Sequence, residues 1–295
     1  MSPKIITGIL SLVLLIVLCV MGVSMKRDLP FQEIIPLDGG IGVINAGEWF
    51  NESLQISLIS NNKKITGKNY DKDGICLFKG LDNDNSYTIE IKRTDLKGRI
   101  LYKKSRKKIT PKRVKYFVLA GASVGRSWSF DKLAERIDFG QEVVLGNRTK
   151  YDFDKSSCIN ALIKTPVPVT GVIIKECAAY FPRDIEPCKK MIKTWVDQLR
   201  SRGIAPILAT VVPVTKAHDK NHSGRHNSIL EFNDFIRLYA GKQKILVFDL
   251  EKAVRISEKD RHLREEYAQP DGLHLAQKAY DEALDGLAVS LIKNF

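Results

Sequence analysis

Closely spaced pairs of cysteines and a composition typical of disordered chains are both missing from this sequence. Its 295 residues include five cysteines, and no two of them form a CxxC pair, which argues against a zinc knuckle. Hydrophobic residues make up 44% and charged residues 27% of the chain. This composition excludes a fibrous or disordered protein and allows one or two globular domains. The cysteines nearest to each other, Cys177 and Cys188, are predicted either to form a disulfide or, as the simpler interpretation, to remain buried free thiols.

Acidic residues are missing from one stretch of a chain whose net charge is +13. Residues 97–115 contain ten basic residues and no acidic one. No nucleic-acid motif accompanies this run, so nucleic-acid binding is not expected. Two interpretations remain open: a basic stem that contacts anionic lipid headgroups, and a solvated basic strand and linker.

Charge is also missing from residues 5–24, which are dominated by Ile, Leu and Val. Twenty helical residues at about 1.5 Å each reach roughly 30 Å, enough to cross a bilayer core. We predict an uncleaved signal anchor within residues 1–27, with the large C-terminal part on the extracytoplasmic side. The alternative is a secreted protein released by cleavage near Ser24.

Residues 31–112 have the pattern of a small β-sandwich. Leu54–Ile59 and Tyr87–Ile91 alternate apolar and polar residues, and Asn, Asp and Gly clusters separate such runs. The stretch from Leu81 to Tyr87 resembles the tyrosine corner of fibronectin type III domains. That resemblance implies a Tyr87 hydroxyl bonded back to the corner backbone, and the alternative is a generic strand with an exposed tyrosine. We expect no chemistry in this module.

Residues 114–295 have the pattern of an α/β domain. Short apolar runs, typical of buried parallel strands, alternate with amphipathic stretches that predict helices. Strands that alternate with helices indicate βαβ units and a parallel sheet. The predicted strands are 114–120, 172–174, 207–212 and 245–248, and the predicted helices are 185–202 and a second one that carries Ile229 to Tyr239.

The first predicted strand of this domain leads directly into Gly121-Ala-Ser123-Val-Gly125. A serine at the carboxyl end of a strand lies where open α/β sheets bind ligands. The helix that follows offers free backbone N–H groups to a developing oxyanion. Ser123 is therefore the candidate nucleophile.

A second candidate group is Asp271-Gly-Leu-His274 near the C-terminus. A serine hydroxyl needs a base, and a carboxylate can hold that base in the right tautomer. We expect His274 to be the base and Asp271 its partner. Asp271 is also a candidate N-cap of the last helix.

These segments together resemble the SGNH (GDSL-like) hydrolase superfamily over about residues 114–295. The resemblance implies a three-layer, flavodoxin-like α/β fold, and ester hydrolysis or acyl transfer through Ser123, His274 and Asp271 without a metal or other cofactor. Its features, in chain order, are the strand with Gly121-Ala-Ser123, Gly146 after Val143-Val-Leu, the helix 231–240 with the strand 247–250, and Asp271-Gly-Leu-His274. A standard α/β-hydrolase fits less well, because there the serine follows several strands and the acid lies far from the histidine.

The sequence departs from the family pattern at two places. Ala122 stands where the family has Asp, and the Asn expected near Ala179 is absent. That Asn normally donates to the oxyanion, a contribution worth a hundredfold or more in rate. Gly146 is the candidate for a second oxyanion N–H, with a plain turn glycine as the alternative.

Other polar residues follow the predicted strand ends. Lys175 and Glu176 are candidate pocket residues, with a strand-end salt bridge or a solvated pair as the alternatives. Arg126 and Trp128 are candidate pocket residues, and packing of the first helix is the alternative. His218, His222 and His226 are predicted to lie on a polar loop at the mouth of the site, and no metal is expected there.

The sequence thus predicts a membrane-anchored serine esterase that cleaves short acyl esters, such as acetyl esters, on an extracytoplasmic glycan or lipid. Two alternatives stay open. One is an O-acyltransferase that uses the same site, and the other is an envelope-binding or scaffold protein with a degenerate hydrolase domain.

Overall fold

The computed structural model describes residues 32–45, 54–60, 63–69, 74–94 and 100–295. The predicted signal anchor lies outside these residues. Within the described ranges, no helix has both the length and the apolar character that crossing a membrane requires.

Residues 32–109 of the described chain form seven antiparallel strands in two sheets. The sheet orders are β1-β2-β5 and β4-β3-β6-β7. Buried residues such as Ile41, Ile56, Phe78 and Ile89 pack into one small core. The strands are β1 Gln32–Leu37, β2 Gly40–Asn45, β3 Leu54–Ser60, β4 Lys63–Asn69, β5 Ile75–Lys79, β6 Tyr87–Thr94 and β7 Ile100–Ile109.

Tyr87 closes the corner before β6. Its side chain is 5% exposed, and its hydroxyl accepts a hydrogen bond from the Asp82 amide at 3.1 Å. The Asp82 carboxylate in turn accepts the Asp84 amide at 2.8 Å. The prediction that Tyr87 bonds back to the corner backbone is thus confirmed, and an exposed tyrosine is excluded.

The second part of the chain is an α/β domain with a five-stranded parallel sheet in the order β12-β11-β10-β8-β9. This confirms the predicted parallel sheet, and β9 is the strand that the apolar pattern did not predict. The strands are β8 Lys115–Gly121, β9 Val143–Thr149, β10 Gly171–Ile174, β11 Ala205–Ala209 and β12 Leu246–Phe248. The helices are α1 Ser123–Ser127, α2 Leu133–Arg136, α3 Ser156–Lys164, α4 Glu186–Arg200, α5 Lys216–Asn221, α6 Arg225–Gln243, α7 Leu250–Val254, α8 Gln277–Ala279 and α9 Asp285–Lys293, with a π-helical turn Tyr280–Leu284 between α8 and α9.

Side chains of this sheet alternate between two cores, as the period of two in a strand requires. In β10, Val172 and Ile174 join the core that α4 and α6 cover. Ile173 faces the opposite core, which the C-terminal helix covers. The sheet therefore lies between two helical layers, as predicted.

The strand order places β8 at a switch point. β8 lies between β9 and β10, so the chain leaves it in one direction first and returns on its other side. Ligands of open α/β sheets bind outside the carboxyl ends of strands at such a point. Ser123 follows this strand.

A buried polar cluster joins the β-sandwich to the α/β domain. Glu33 of β1 is 2% exposed, and its carboxylate accepts hydrogen bonds from the Tyr116 hydroxyl, the Arg148 guanidinium and, at 3.0 Å, the Asn147 amide. Burial and the neighbouring Glu33 raise the pKa of Tyr116, so its hydroxyl remains a donor. The ion pair between Glu33 and Arg148 therefore joins the two parts. Either part alone would leave one of these charges without its partner.

Candidate active site

Ser123 lies at the first turn of α1, two residues after β8 ends. Its side chain is partly exposed, and its hydroxyl lies 3.9 Å from the Cys177 thiol, which follows β10. Gly125 has no room for a side chain, because a Cβ there would come within 2.5 Å of Leu119 Cδ2 and 2.6 Å of Asn147 Oδ1. The absence of a side chain at Gly125 therefore lets α1 pack closely against β8 and β9.

Asp271 and His274 form a hydrogen-bonded pair. The Asp271 Oδ2 atom lies 2.5 Å from His274 Nδ1, and Oδ1 accepts the backbone amides of Leu273 and His274 at 2.9 Å each. Burial alone would raise the pKa of Asp271, but these backbone and ring hydrogen bonds lower it to about 2. The carboxylate is therefore charged at neutral pH and holds the proton on Nδ1, which leaves Nε2 free to act as a base.

The predicted N-cap role of Asp271 is wrong. The final helical segment begins at Gln277 with Ala276 as its N-cap. Asp271 instead accepts amides of its own turn, which is the Asx arrangement that aspartate favours in loops. This turn aligns the carboxylate with the imidazole three residues later.

The loop that carries the pair is anchored on the start of α5. The Thr215 amide donates to the Gly272 carbonyl at 3.0 Å, and Gly272 has a φ of +66°, with Thr215 Oγ1 2.4 Å from where a Cβ would lie. His218 Nδ1 donates to the Asp271 carbonyl at 2.7 Å, and its Nε2 accepts from Arg225 at 2.6 Å. Arg225 also donates to the Phe181 carbonyl at 2.7 Å, so the same network reaches the segment after β10.

Ser123 and the Asp271–His274 pair lie at the same edge of the sheet. Ser123 follows β8, Cys177 follows β10, and the anchor residue Thr215 follows β11, and these three strands are consecutive neighbours. The structure places the Ser123 hydroxyl beside the Cys177 thiol, and it brings the Asp271 carboxylate into contact with the His274 ring. Among the described residues, no hydrogen bond connects Ser123 to His274.

Gly146 does not lie where an oxyanion donor is needed, so that prediction is wrong. It pairs with Val118 in the middle of the β8–β9 ladder, and a Cβ there would come within 2.7 Å of the Glu33 carboxylate. The absence of a side chain at Gly146 thus leaves room for the Glu33 carboxylate, which joins the β-sandwich to the α/β domain. Ala179 is exposed in the 3₁₀ turn Ala178–Tyr180 and brings no polar side chain.

The two candidate pocket residues that follow Ser123, Arg126 and Trp128, differ in exposure. Trp128 is 1% exposed; it stacks on Phe248 and Tyr280, and its Nε1 donates to Asp285 at 2.6 Å. Its assignment to the pocket is therefore wrong, and it packs the first helix against the core. Arg126 is exposed, and its guanidinium lies 3.5 Å from the Tyr151 hydroxyl.

Lys175 and Glu176 are both buried at 1% exposure, so a solvated pair is excluded. They point to opposite faces of the sheet, because they are consecutive residues of an extended segment. Glu176 pairs with Lys155 at 2.9 Å, and burial, partly offset by Lys155, raises its pKa to about 8. Burial lowers the pKa of Lys175, whose backbone carbonyl and Cβ lie against Gly121. Both residues support the strand end from inside the protein.

The predicted loop at 218–226 is wrong for most of its length, because His218 lies in α5 and His226 in α6, and only residues 222–224 between them are non-helical. His218 stacks at 4.0 Å on His222, the C-cap residue of α5, and His226, in the first turn of α6, stacks on His262 at 3.8 Å. In the described part of the chain, no group of three His, Cys, Asp or Glu side chains could hold a metal ion. Of the described cysteines, Cys158, Cys177 and Cys188 are free thiols.

Sequence reasoning missed Cys177 and the Thr215–His218 anchor as parts of this site. Cys177 follows a predicted strand by three residues, and that position was its one available signal. The anchor depends on contacts between residues more than fifty positions apart, which no local pattern reveals.

Comparison with known proteins gives structural likenesses alone. No family model matches the sequence, and no curated protein matches it at a significant level. Among solved structures, the lipase/acylhydrolase from Enterococcus faecalis is 20% identical, with 61% of this chain and 96% of that chain covered and a TM-score of 0.47. A GDSL-like lipase from Bacteroides thetaiotaomicron is 18% identical, with 61% and 86% covered and a TM-score of 0.44. The M. smegmatis aryl esterase is 15% identical, with 61% and 99% covered and a TM-score of 0.45.

Proposed function

We propose that this protein is a serine esterase whose nucleophile is Ser123 and whose base is His274, held by Asp271. The observation that carries the proposal is the 2.5 Å contact between Asp271 and His274 Nδ1 at the same sheet edge as a partly exposed serine on a helix start. This combination supplies a base, its orienting carboxylate and a nucleophile.

The chemistry would proceed in two displacements. In the first, the Ser123 oxygen attacks the ester carbonyl while His274 Nε2 takes the hydroxyl proton, and the tetrahedral oxyanion faces the free backbone amides at the start of α1. Collapse breaks the bond to the alcohol, which leaves with the proton from His274. In the second, water attacks the acyl-serine with His274 again as base, and the acid departs as Ser123 regains its proton.

The proposed substrates are short acyl esters on an extracytoplasmic glycan or lipid, and the proposed location is the outer side of a membrane. The uncharged run of residues 5–24 supports a signal anchor, with secretion after cleavage near Ser24 as the alternative. The ten basic residues of 97–115 support contact with anionic lipid.

We further infer that residues 31–112 form a fibronectin type III-like spacer. The sheet orders β1-β2-β5 and β4-β3-β6-β7 and the Tyr87 hydroxyl bonded to the Asp82 amide support this inference. Such a module would hold the α/β domain away from the anchor.

A binding or scaffold role is the second candidate, and one observation favours it. Among the described residues, the Ser123 hydroxyl contacts the Cys177 thiol at 3.9 Å and forms no hydrogen bond with His274, and the sequence has no asparagine near Ala179 to donate to an oxyanion. An acyltransferase would use the same residues with a sugar hydroxyl in place of water.

Turnover of short p-nitrophenyl esters by the full-length chain in mild detergent tests the proposal. We expect hydrolysis by the wild type, and none above background by Ser123→Ala or His274→Ala. Equal inertness of wild type and Ser123→Ala would favour the scaffold role. Acylation of an added sugar, at the expense of free acid, would identify a transferase.

A further inference from the structure

Beside Ser123, the carboxyl ends of β8, β9 and β10 carry a group of basic and aromatic side chains. We call Arg126, Lys150, Tyr151 and Tyr180 the basic–aromatic rim. It rests on three contacts: the Arg126 guanidinium lies 3.5 Å from the Tyr151 hydroxyl, the Lys150 amide donates to the Gly121 carbonyl at 2.7 Å, and the Tyr180 hydroxyl donates to the Lys150 carbonyl at 3.3 Å.

These contacts hold the rim around the proposed nucleophile. Arg126 is three residues beyond Ser123 on α1, a spacing that places both on one helix face. Tyr180 lies on the same turn as Cys177, because its amide donates to the Cys177 carbonyl at 3.1 Å, and the Cys177 thiol lies 3.9 Å from the Ser123 hydroxyl. A substrate bound at Ser123 therefore passes the rim.

The rim carries the positive charges of Arg126 and Lys150. Within the described parts of the chain, no carboxylate forms an ion pair with Arg126 or Lys150. Of the two nearby aspartates, Asp152 accepts the Asp154 amide at 3.3 Å and Asp154 accepts the Ser156 amide at 2.8 Å. Lys150 contributes to the lowered pKa of Asp154, so Asp154 offsets part of the Lys150 charge, and Arg126 is the main cation of the rim. A guanidinium without a carboxylate partner of its own is suited to bind a carboxylate or phosphate of a ligand.

Tyr151 gives the rim a flat apolar surface. Its side chain is 62% exposed although it is a large aromatic residue. An exposed ring face suits the C–H face of a pyranose ring, and the ring hydroxyl is held by Arg126. A lipid chain needs an apolar channel instead of one isolated ring between two cations.

We propose that the basic–aromatic rim selects an anionic polysaccharide, in which the acylated sugar stacks on Tyr151 and a carboxylate or phosphate beside it pairs with Arg126. The inference rests on the proposed esterase function and names the substrate class of that site. Lys150 adds positive charge on the same side, and Tyr180 holds the Lys150 segment in place.

Acetate release from a matched pair of polymers tests the preference for charge. The pair is acetylated polygalacturonate and the same polymer with its carboxylates reduced to alcohols. We expect the full-length chain in mild detergent to prefer the anionic polymer about tenfold, since one charge-assisted contact is worth about that factor. The preference should shrink as salt rises from 10 mM to 500 mM, because salt screens exposed charges.

Variants assign the preference to residues. Arg126→Gln should lower the ratio of the anionic to the neutral rate about tenfold, and Tyr151→Ala should raise KM for both polymers while Tyr151→Phe retains most of the affinity. Arg202→Gln is the matched control, because Arg202 is also exposed but precedes β11, at the amino ends of the strands, and it should change neither rate. A wild-type ratio near one, or an unchanged ratio in Arg126→Gln, would overturn the proposal.

Binding separates this inference from the proposed function. Affinity electrophoresis of Ser123→Ala through gels that contain either polymer needs no turnover. Retardation by the anionic polymer alone, lost in the Ser123→Ala/Arg126→Gln double variant, supports the rim even if no ester is hydrolysed. Equal mobility in both gels rejects the rim even if Ser123 hydrolyses p-nitrophenyl esters. Phosphorylated mannan as a competitor distinguishes a phosphate preference from a carboxylate preference.

Discussion

Asp271 uses both of its carboxylate oxygens. Oδ1 accepts two backbone amides and Oδ2 contacts His274 Nδ1. In Asp271→Asn, the amide oxygen can still accept the backbone amides, but its NH₂ group then faces Nδ1 and forces the proton onto Nε2. We expect kcat to fall by about 10⁴-fold, the scale of a wrong tautomer in such a site, with a modest fall in melting temperature because the neutral amide accepts these hydrogen bonds more weakly than the carboxylate. Ester kinetics and thermal unfolding of the same samples measure both effects.

The low pKa of Asp271 also predicts a pH dependence of stability. A carboxylate whose folded pKa is about 2, below its ordinary value, stabilises the fold above about pH 4 and loses that contribution as pH falls toward 2. The free energy of unfolding of the wild type should therefore fall more steeply between pH 4 and 2 than that of Asp271→Asn. Parallel curves in urea titrations across that window would contradict the assigned hydrogen bonds.

Lys155 and Glu176 form a buried ion pair. Replacing either residue alone should lower the free energy of unfolding. Lys155 is fully buried and also donates to the Phe153 carbonyl at 3.3 Å. Lys155→Ala should destabilise the fold by roughly 3–5 kcal/mol, and the double variant Lys155→Met/Glu176→Leu by much less, because the double variant leaves no unpaired buried group. Glu186→Ala, which removes an exposed carboxylate from its pair with Lys189, is the control and should cost about 0–1 kcal/mol. Denaturant unfolding of the four proteins tests this order.

At the scale of elements, the loop 271–274 is positioned by α5 and not by its own sequence. Gly272→Ala would place a Cβ 2.4 Å from Thr215 Oγ1 at a φ of +66°. Gly203→Ala is the matched control, because Gly203 has a φ of +70° and nothing within 4 Å. Both variants should lose about 1 kcal/mol from backbone strain, but only Gly272→Ala should also lose most of its esterase activity. Equal activity of the two variants would show that the anchor does not position His274.

Elements with a strong local signal were predictable from the sequence. The helix α4 has an apolar stripe, Pro187 in its first turn and Gly203 beyond its end, and its bounds differ from the prediction by one or two residues. β9 was missed because Gly146, Asn147 and Arg148 interrupt its apolar run, and those residues are there to meet Glu33. The helix α5 was missed because it is short and its cap, Thr215, acts through a side-chain contact.

The residues of the candidate site also divide into those whose roles the sequence could predict and those whose roles it could not. The Asp271–His274 contact was predictable, because three residues of one turn bring the two side chains together. Trp128 and Gly146 were misassigned because burial by distant residues, Asp285 and Glu33, decides their roles. A single sequence does not show which distant residues meet.

At the scale of the whole molecule, the β-sandwich and the α/β domain share the Glu33 cluster. Glu33→Ala would leave the Arg148 guanidinium and the Tyr116 hydroxyl without their buried partner. We expect a loss of roughly 3–5 kcal/mol and a single, lowered unfolding transition for both parts. Glu142→Ala, which removes the exposed pair with Lys112, should cost about 0–1 kcal/mol. Two calorimetric transitions in Glu33→Ala, one of them at the wild-type temperature, would contradict this prediction, because they would show that the two parts unfold independently.

The most direct test of the central claim is a fluorophosphonate adduct mapped by mass spectrometry. An activated serine attacks such a probe, and an ordinary serine does not. The account predicts one adduct, on Ser123, that disappears in Ser123→Ala and is strongly reduced in His274→Ala and Asp271→Asn. An unlabelled wild type, or an adduct on Ser123 that persists at full rate in His274→Ala, would contradict the claim that His274 activates Ser123.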